Sequence, residues 1–160
     1  MAFWDIAEQQ NIKPLDITSA NKIFPQLQRE VEANDLQSYL GFEFYQELKR
    51  NTSNYSTLLN GGEYTVSGVT YTFSGLKYVC AYLLYARYVK QSYVKDTFSG
   101  FVKHTGDGFQ SISAGEIKNQ AQEYEQVAGS YWEECKRYLD TLSLPYFPEK
   151  KSKTFKIDAL

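Results

Sequence analysis

Apolar residues recur along this chain with helical spacing over most of its length, and two polar, glycine-bearing stretches interrupt them. Ile23, Phe24, Leu27 and Val31 follow the three-and-four spacing that gathers side chains on one face of an α-helix. Thr18 or Ser19 is placed to cap that helix, and Pro25 fits it only within the first turn or two. A second segment runs through Leu36, Tyr39 and Leu40, with Asn34 or Asp35 as its expected cap and Gly41 as the left-handed residue that stops it. Phe42 to Arg50 resumes as a short helix.

Leu76 to about Tyr93 is the most apolar of the helical segments. Val79, Tyr82, Leu83, Ala86 and Val89 share one face, and Tyr78, Tyr85 and Tyr88 occupy others, the pattern of a central helix buried on several sides. Only Lys77, Arg87 and Lys90 demand water or an acidic partner there. The longest helix is expected from Ala114 to Leu142, where Ile117, Ala121, Tyr124, Ala128, Tyr131, Cys135, Tyr138 and Leu142 recur at alternating spacings of four and three. Small and aromatic residues alternate along that seam, which suits packing on another helix of the same domain. The opposite face, with Lys118, Gln122, Glu125, Glu133, Arg137 and Asp140, is expected to be solvated.

The interruptions read as β excursions. Glu63 to Phe73 alternates around Ser67-Gly68 and predicts a small hairpin, a projecting flap that is marginal unless it packs on something. A second excursion is expected near residues 97–112, from the short runs Phe101-Val-Lys and Phe109-Gln-Ser-Ile. At the front, residues 1–17 hold Phe3, Trp4, Ile6, Ile12, Leu15 and Pro14 without sustained periodicity, and read as an arm packed on something. At the back, Pro145 and Pro148 end any helix. Thr154-Phe-Lys-Ile157 then alternates as a strand does, among four lysines set against Glu149 and Asp158. That tail is either a solvated basic end or an arm that adds a strand to a neighbour, and its Phe155 and Ile157 favour the arm.

The expected fold is therefore mainly α: a bundle of about four to five helices with one or two small hairpin excursions and extended N- and C-terminal arms. Its parts are an arm at 1–17, a helical domain at 18–148 and a second arm at 149–160.

Length and composition narrow the function. A chain of 160 residues supports one core. Fourteen Tyr and ten Phe exceed ordinary usage and serve either a tyrosine-rich core or protein interfaces, where amphipathic rings are enriched. A formal charge of −2 disfavours coating nucleic acid or binding an anionic membrane. No stretch has the length and apolarity of a membrane span, and the opening Met-Ala-Phe-Trp-Asp-Ile lacks a secretion signal, so a cytoplasm-like compartment is expected. Cys80 and Cys135 sit among apolar helical neighbours and are expected to be reduced, buried thiols.

Catalytic constellations are scarce. His104 is the one histidine, no Gly-x-Ser-x-Gly elbow is present, and the two cysteines lie too far apart to form a zinc motif with it. Thr105-Gly-Asp-Gly108 lacks the Lys-Ser/Thr of a phosphate loop and the ligand ladder of a calcium loop, which leaves a plain turn. Glu133 and Glu134 diverge by roughly 100° on a helix and read as surface charge. No catalytic, metal or cofactor residue is expected, and an enzyme is disfavoured. The candidate residues are instead those of a subunit or partner interface: Tyr64, Val66, Val69, Tyr71 and Phe73 on the hairpin, Tyr146 and Phe147 between the prolines, and Phe155 and Ile157 in the tail.

Several runs carry a resemblance. Ile17-Thr-Ser-Ala-Asn-Lys-Ile-Phe24, Asp35-Leu-Gln-Ser-Tyr-Leu-Gly-Phe-Glu-Phe-Tyr-Gln-Glu-Leu48, Leu76-Lys-Tyr-Val-Cys-Ala-Tyr-Leu-Leu-Tyr-Ala-Arg-Tyr88 and Tyr131-Trp-Glu-Glu-Cys-Lys-Arg-Tyr-Leu139 resemble, in this order, the small head-tail connector proteins of tailed bacteriophages. The likeness spans most of residues 17–148 and is to proteins of Bacteroidetes phages and prophages, crAss-like phages among them. It implies a structural virion protein at the neck, made in the host bacterial cytoplasm. Such a protein forms a homo-oligomeric ring, commonly twelvefold, beneath the portal protein, extends the channel through which DNA passes without sequence recognition, and offers a platform to the next neck or tail component. A tail-completion or stopper protein of the neck, and a soluble module whose loop excursions hold a ligand, remain the alternatives.

Overall fold

The computed structural model describes residues 3–15, 17–92, 94–97, 100–103 and 113–144. It is a helical bundle with small antiparallel hairpins. Helix α1 spans Ile6–Ile12 and α2 Ile17–Glu30; α2 continues through a π-helical stretch, Val31–Leu36, into α3, Gln37–Leu40. Helix α4 is Phe42–Arg50, and after a tight turn at Thr52–Tyr55 comes α5, Ser56–Asn60. Strands β1 (Gly62–Val66) and β2 (Val69–Phe73) form the first hairpin, followed by α6 (Leu76–Ser92). Strands β3 (Val94–Thr97) and β4 (Gly100–Lys103) form a second, and α7 spans Ala114–Leu142.

The core lies where α6 and α7 pack along each other and α2–α5 close over them. Leu27, Val31, Leu36, Leu40, Phe44, Leu48, Leu76, Val79 and Leu84 are buried, and α7 adds Ala121, Ala128, Trp132, Cys135 and Leu139. Tyr131 and Tyr138, expected in the seam, lie half-buried beside Trp132 and Leu139, which go deeper. A straight helix has 3.6 residues per turn, so over a length such as that of α7 its buried stripe drifts away from a strict seven-residue register. Cys80 and Cys135 are free and buried, and burial pushes the Cys135 thiol up to about 12.

The structure departs from the sequence reading at several elements. Residues 3–15 are not an extended arm: Asp5 and Glu8 close a reciprocal capping box on α1, and Phe3, Trp4 and Leu15 are buried in the core. The chain stays helical from α2 to α3, with no helix start at Asn34 or Asp35, because the π turn carries Val31, Glu32 and Leu36 inward together. Helix α2 begins at Ile17, which places Thr18 and Ser19 within it and Pro25 in its interior. Strand β4 pairs with Val94–Thr97, so the second hairpin sits earlier than 97–112; Phe109 to Ile112 lie outside the described residues. The tail at 149–160 and the His104 to Gly108 turn also lie outside them.

The three cations of α6 find acidic partners. Lys77 pairs with Glu8, and Lys90 with Glu125 at 2.5 Å. Arg87 forks onto Asp35, with Nε 2.8 Å from Oδ2 and a terminal nitrogen 2.9 Å from Oδ1.

Candidate functional site

The β1–β2 hairpin supplies the site, and local chemistry sets its shape. Ser67 and Gly68 both adopt positive φ, 51° and 81°, the conformation of the two-residue turn whose twist matches that of the strands. The register pairs Tyr64 with Tyr71 and Val66 with Val69. Alternation then puts Tyr64, Val66, Val69, Tyr71 and Phe73 on one face and Glu63, Thr65, Thr70 and Thr72 on the other. The threonine hydroxyls of Thr65 and Thr70 lie 3.3 Å apart across that polar face.

The root of the hairpin is fixed. Gly61 and Gly75 cross so closely that a Cβ on Gly75 would lie 2.2 Å from the Gly61 nitrogen, and one on Gly61 would lie 2.4 Å from the Phe73 carbonyl oxygen. No other residue permits that approach. Glu134 on α7 accepts the Ser74 amide at 3.2 Å, so this carboxylate, expected as plain surface charge, ties the hairpin base to the bundle. Phe73 stacks on Tyr138 with ring centroids 4.6 Å apart. Tyr64 meets Tyr138 at 5.6 Å and Tyr71 at 5.5 Å.

Beyond that root the apolar face runs past its own support. Val66, Val69 and Tyr71 are 41%, 53% and 45% exposed, whereas Phe73 is buried. Beneath them opens a groove of about 720 Å³, lined by the hairpin residues Tyr64 to Ser67 and Tyr71 and by Arg137, Asp140 and Thr141 at the end of α7. Of the sequence candidates, the structure brings Tyr64, Val66 and Tyr71 to this groove and leaves Val69 exposed at the hairpin's tip. Phe73 is buried, and its ring, stacked on Tyr138, holds the hairpin down. Tyr146, Phe147, Phe155 and Ile157 lie outside the described residues. Arg137 and Asp140 are expected from the sequence only as part of a solvated helix face and Thr141 not at all, because only the fold brings the end of α7 under the hairpin; the one local signal is that positions 137 and 141 share a helix face.

A second aromatic cluster lies between the N-terminal segment and the α6–α7 pair. The Lys13 ammonium sits 4.6 Å from the ring centres of both Tyr85 and Tyr124. Tyr82 contacts Tyr131 at 5.5 Å along the same row. These rings serve as mutual packing and as cation–π partners that hold Lys13 in place. Among the described residues no three His, Cys, Asp or Glu side chains converge as metal ligands do, and no helix is long and apolar enough to cross a membrane.

No curated protein and no solved structure matches this chain. A family model described as a family of unknown function, DUF6712, matches residues 36–156, a stretch that includes the whole hairpin and the groove beneath it. That match takes in well over half of the chain, and the protein belongs to the DUF6712 family.

Proposed function

We propose that this protein is a structural component of a tailed-phage virion, a head-tail connector subunit and not an enzyme. It forms a ring of copies of itself, twelve by analogy with the connectors it resembles, under the portal protein. The ring extends the DNA channel, which DNA traverses without sequence recognition, and presents a platform to the next neck or tail component. The neck of the virion is then its location, after synthesis in the host cytoplasm, and no membrane is involved.

The observation that carries this reading is the rigidly rooted hairpin whose apolar face overhangs the bundle. Ring subunits bury a patch of one copy against a different patch of the next, and a stiff apolar projection suits such a head-to-tail contact. The near-neutral charge suits a conduit that must not grip the genome. A second reading, a soluble ligand-binding module, draws on the groove volume, which falls in the range of small-molecule sites. A tail-completion or stopper role elsewhere in the neck would use the same surface on a different partner.

Light scattering on the purified chain, alone and mixed with the portal protein of the same phage, tests the proposal. The expected outcome is a multi-copy ring on the portal. A species that stays at the 18.5 kDa monomer mass with portal present would refute the connector reading.

A further inference from the structure

The β1–β2 hairpin has two open backbone edges as well as an overhanging apolar face. Val66 and Val69 flank the two-residue turn and exchange backbone hydrogen bonds, as do Tyr64 and Tyr71, because bonded and non-bonded pairs alternate along an antiparallel ladder. The N–H and C=O groups of Glu63 and Thr65 therefore point away from β2, and those of Thr70 and Thr72 point away from β1. Among the described residues none of these backbone groups has a hydrogen-bond partner, and all four residues are exposed. Neither edge is guarded. Proteins blunt a strand edge that must stay single with Lys, Pro or a bulge. Strands β1 and β2 hold no Lys and no Pro, their register is unbroken, and β2, Val-Thr-Tyr-Thr-Phe, consists wholly of residues that favour strands.

We infer that the hairpins of successive copies of this chain pair edge to edge, β1 of one against β2 of the next, with Thr65 opposite the next copy's Thr70 and Glu63 opposite its Thr72. This rests on the connector reading and deepens it by naming the contact that joins ring neighbours.

The hairpin itself selects this partner and this order. Each edge offers two N–H and two C=O groups on residues two positions apart, so one edge complements the other without a shift in spacing. Antiparallel pairing in that register sets Val66 beside the next copy's Val69 and Tyr64 beside its Tyr71, the same pairs that already face each other within the hairpin. Side chains that overhang the bundle thereby gain apolar cross-strand neighbours. Charge disfavours pairing β1 with β1. Glu63 is the one charged residue of the two strands, and that arrangement brings two carboxylates onto one face, whereas β2 offers Glu63 an uncharged threonine. Pairing β2 with β2 joins two copies and stops, leaving each β1 edge open. Pairing β1 with β2 uses both edges of every copy and continues from subunit to subunit until the ring closes.

The test uses full-length Thr65→Cys and Thr70→Cys, each alone and the two mixed, assembled with the portal protein of the same phage and treated with a short flexible bis-maleimide. Cys80 and Cys135 are buried and stay out of the reaction. Covalent pairs are expected in the mixture and in neither variant alone. Adding Thr72→Pro to the Thr70→Cys chain removes one outward N–H and no bond within the hairpin, and is expected to lower the yield about tenfold with circular dichroism unchanged. An unchanged yield from a folded proline variant overturns the proposal. Pairs formed by Thr70→Cys alone would show β2 lying on β2, and pairs formed by Thr65→Cys alone would show β1 on β1; either overturns it. Copies that assemble on the portal without any cross-link leave the connector reading standing and remove the hairpin edges from the interface. A chain that neither assembles nor cross-links with portal present overturns both.

Discussion

The N-terminal segment and the β1–β2 hairpin carry the same kinds of residue, large aromatics among polar neighbours, and they meet opposite fates. Residues 3–15 are tied to the bundle by buried hydrogen bonds at several points. The Gln9 side chain is fully buried and satisfied at both ends: its oxygen accepts the Trp4 indole N–H at 3.2 Å, and its nitrogen donates to the carbonyls of Lys13 at 2.8 Å and Ala81 at 3.2 Å. The buried Glu32 carboxylate accepts the Phe3 amide at 3.2 Å, and the Gln28 side chain donates to the Trp4 carbonyl. The hairpin is tied down only at its root, and its outer half satisfies its own polar groups through strand pairing while leaving apolar side chains in water. A segment joins the core when its buried polar groups find partners there. The hairpin's outer half, by contrast, runs beyond the cover of the described bundle, and Val66, Val69 and Tyr71 stay exposed.

The strongest challenge to this contrast is Trp4→Ala. Trp4 is buried, packs edge-on against Phe24 and supplies the indole N–H to Gln9, so its truncation is expected to lower stability by about 3–5 kcal/mol. Chemical denaturation measures this, and a loss below about 1 kcal/mol, the size of an ordinary surface effect, would make the N-terminal segment an appendage after all.

Glu32 sharpens the same point through pH. Burial raises its carboxyl above the ordinary glutamate value, against the opposing pull of the Phe3 amide and Lys49. The folded protein therefore holds this proton more tightly than the unfolded chain. The group's contribution to stability is full below the unfolded pKa and is lost as pH rises through the folded one. Glu32→Gln keeps an acceptor for the Phe3 amide and removes the charge. Relative to the parent it is expected to be more favourable at neutral pH, with the advantage shrinking as pH falls into the ordinary glutamate range. Melting curves that differ by the same amount at every pH would place the carboxylate in water.

The smallest effect on stability is expected at the hairpin tip. Val69→Ser changes unfolding free energy by no more than about 0.5 kcal/mol, since the side chain leaves an exposed position. Its self-association, followed by sedimentation, is expected to weaken. A marked fall in melting temperature with association intact would mean that Val69 supports its own subunit instead.

What could be read from the order of residues was local. Gly41 stops α3 with φ 75°, Ser67-Gly68 turns the hairpin, and the apolar spacing of α4, α6 and α7 matches the helices that form. Each depends on residues a few positions apart, whose steric and periodic preferences act wherever the chain lies. The acidic partners of Lys77, Arg87 and Lys90, the buried Gln9 amide and the turn of Asp35 towards Arg87 instead of a helix cap depend on residues far apart in the chain. Spacing carries no trace of such meetings. For the same reason five apolar hairpin residues that look equivalent in the sequence separate into a buried anchor, Phe73, a half-buried ring, Tyr64, and an exposed tip: only the packing of Tyr138 and the Gly61–Gly75 crossing determines where the bundle's own cover ends.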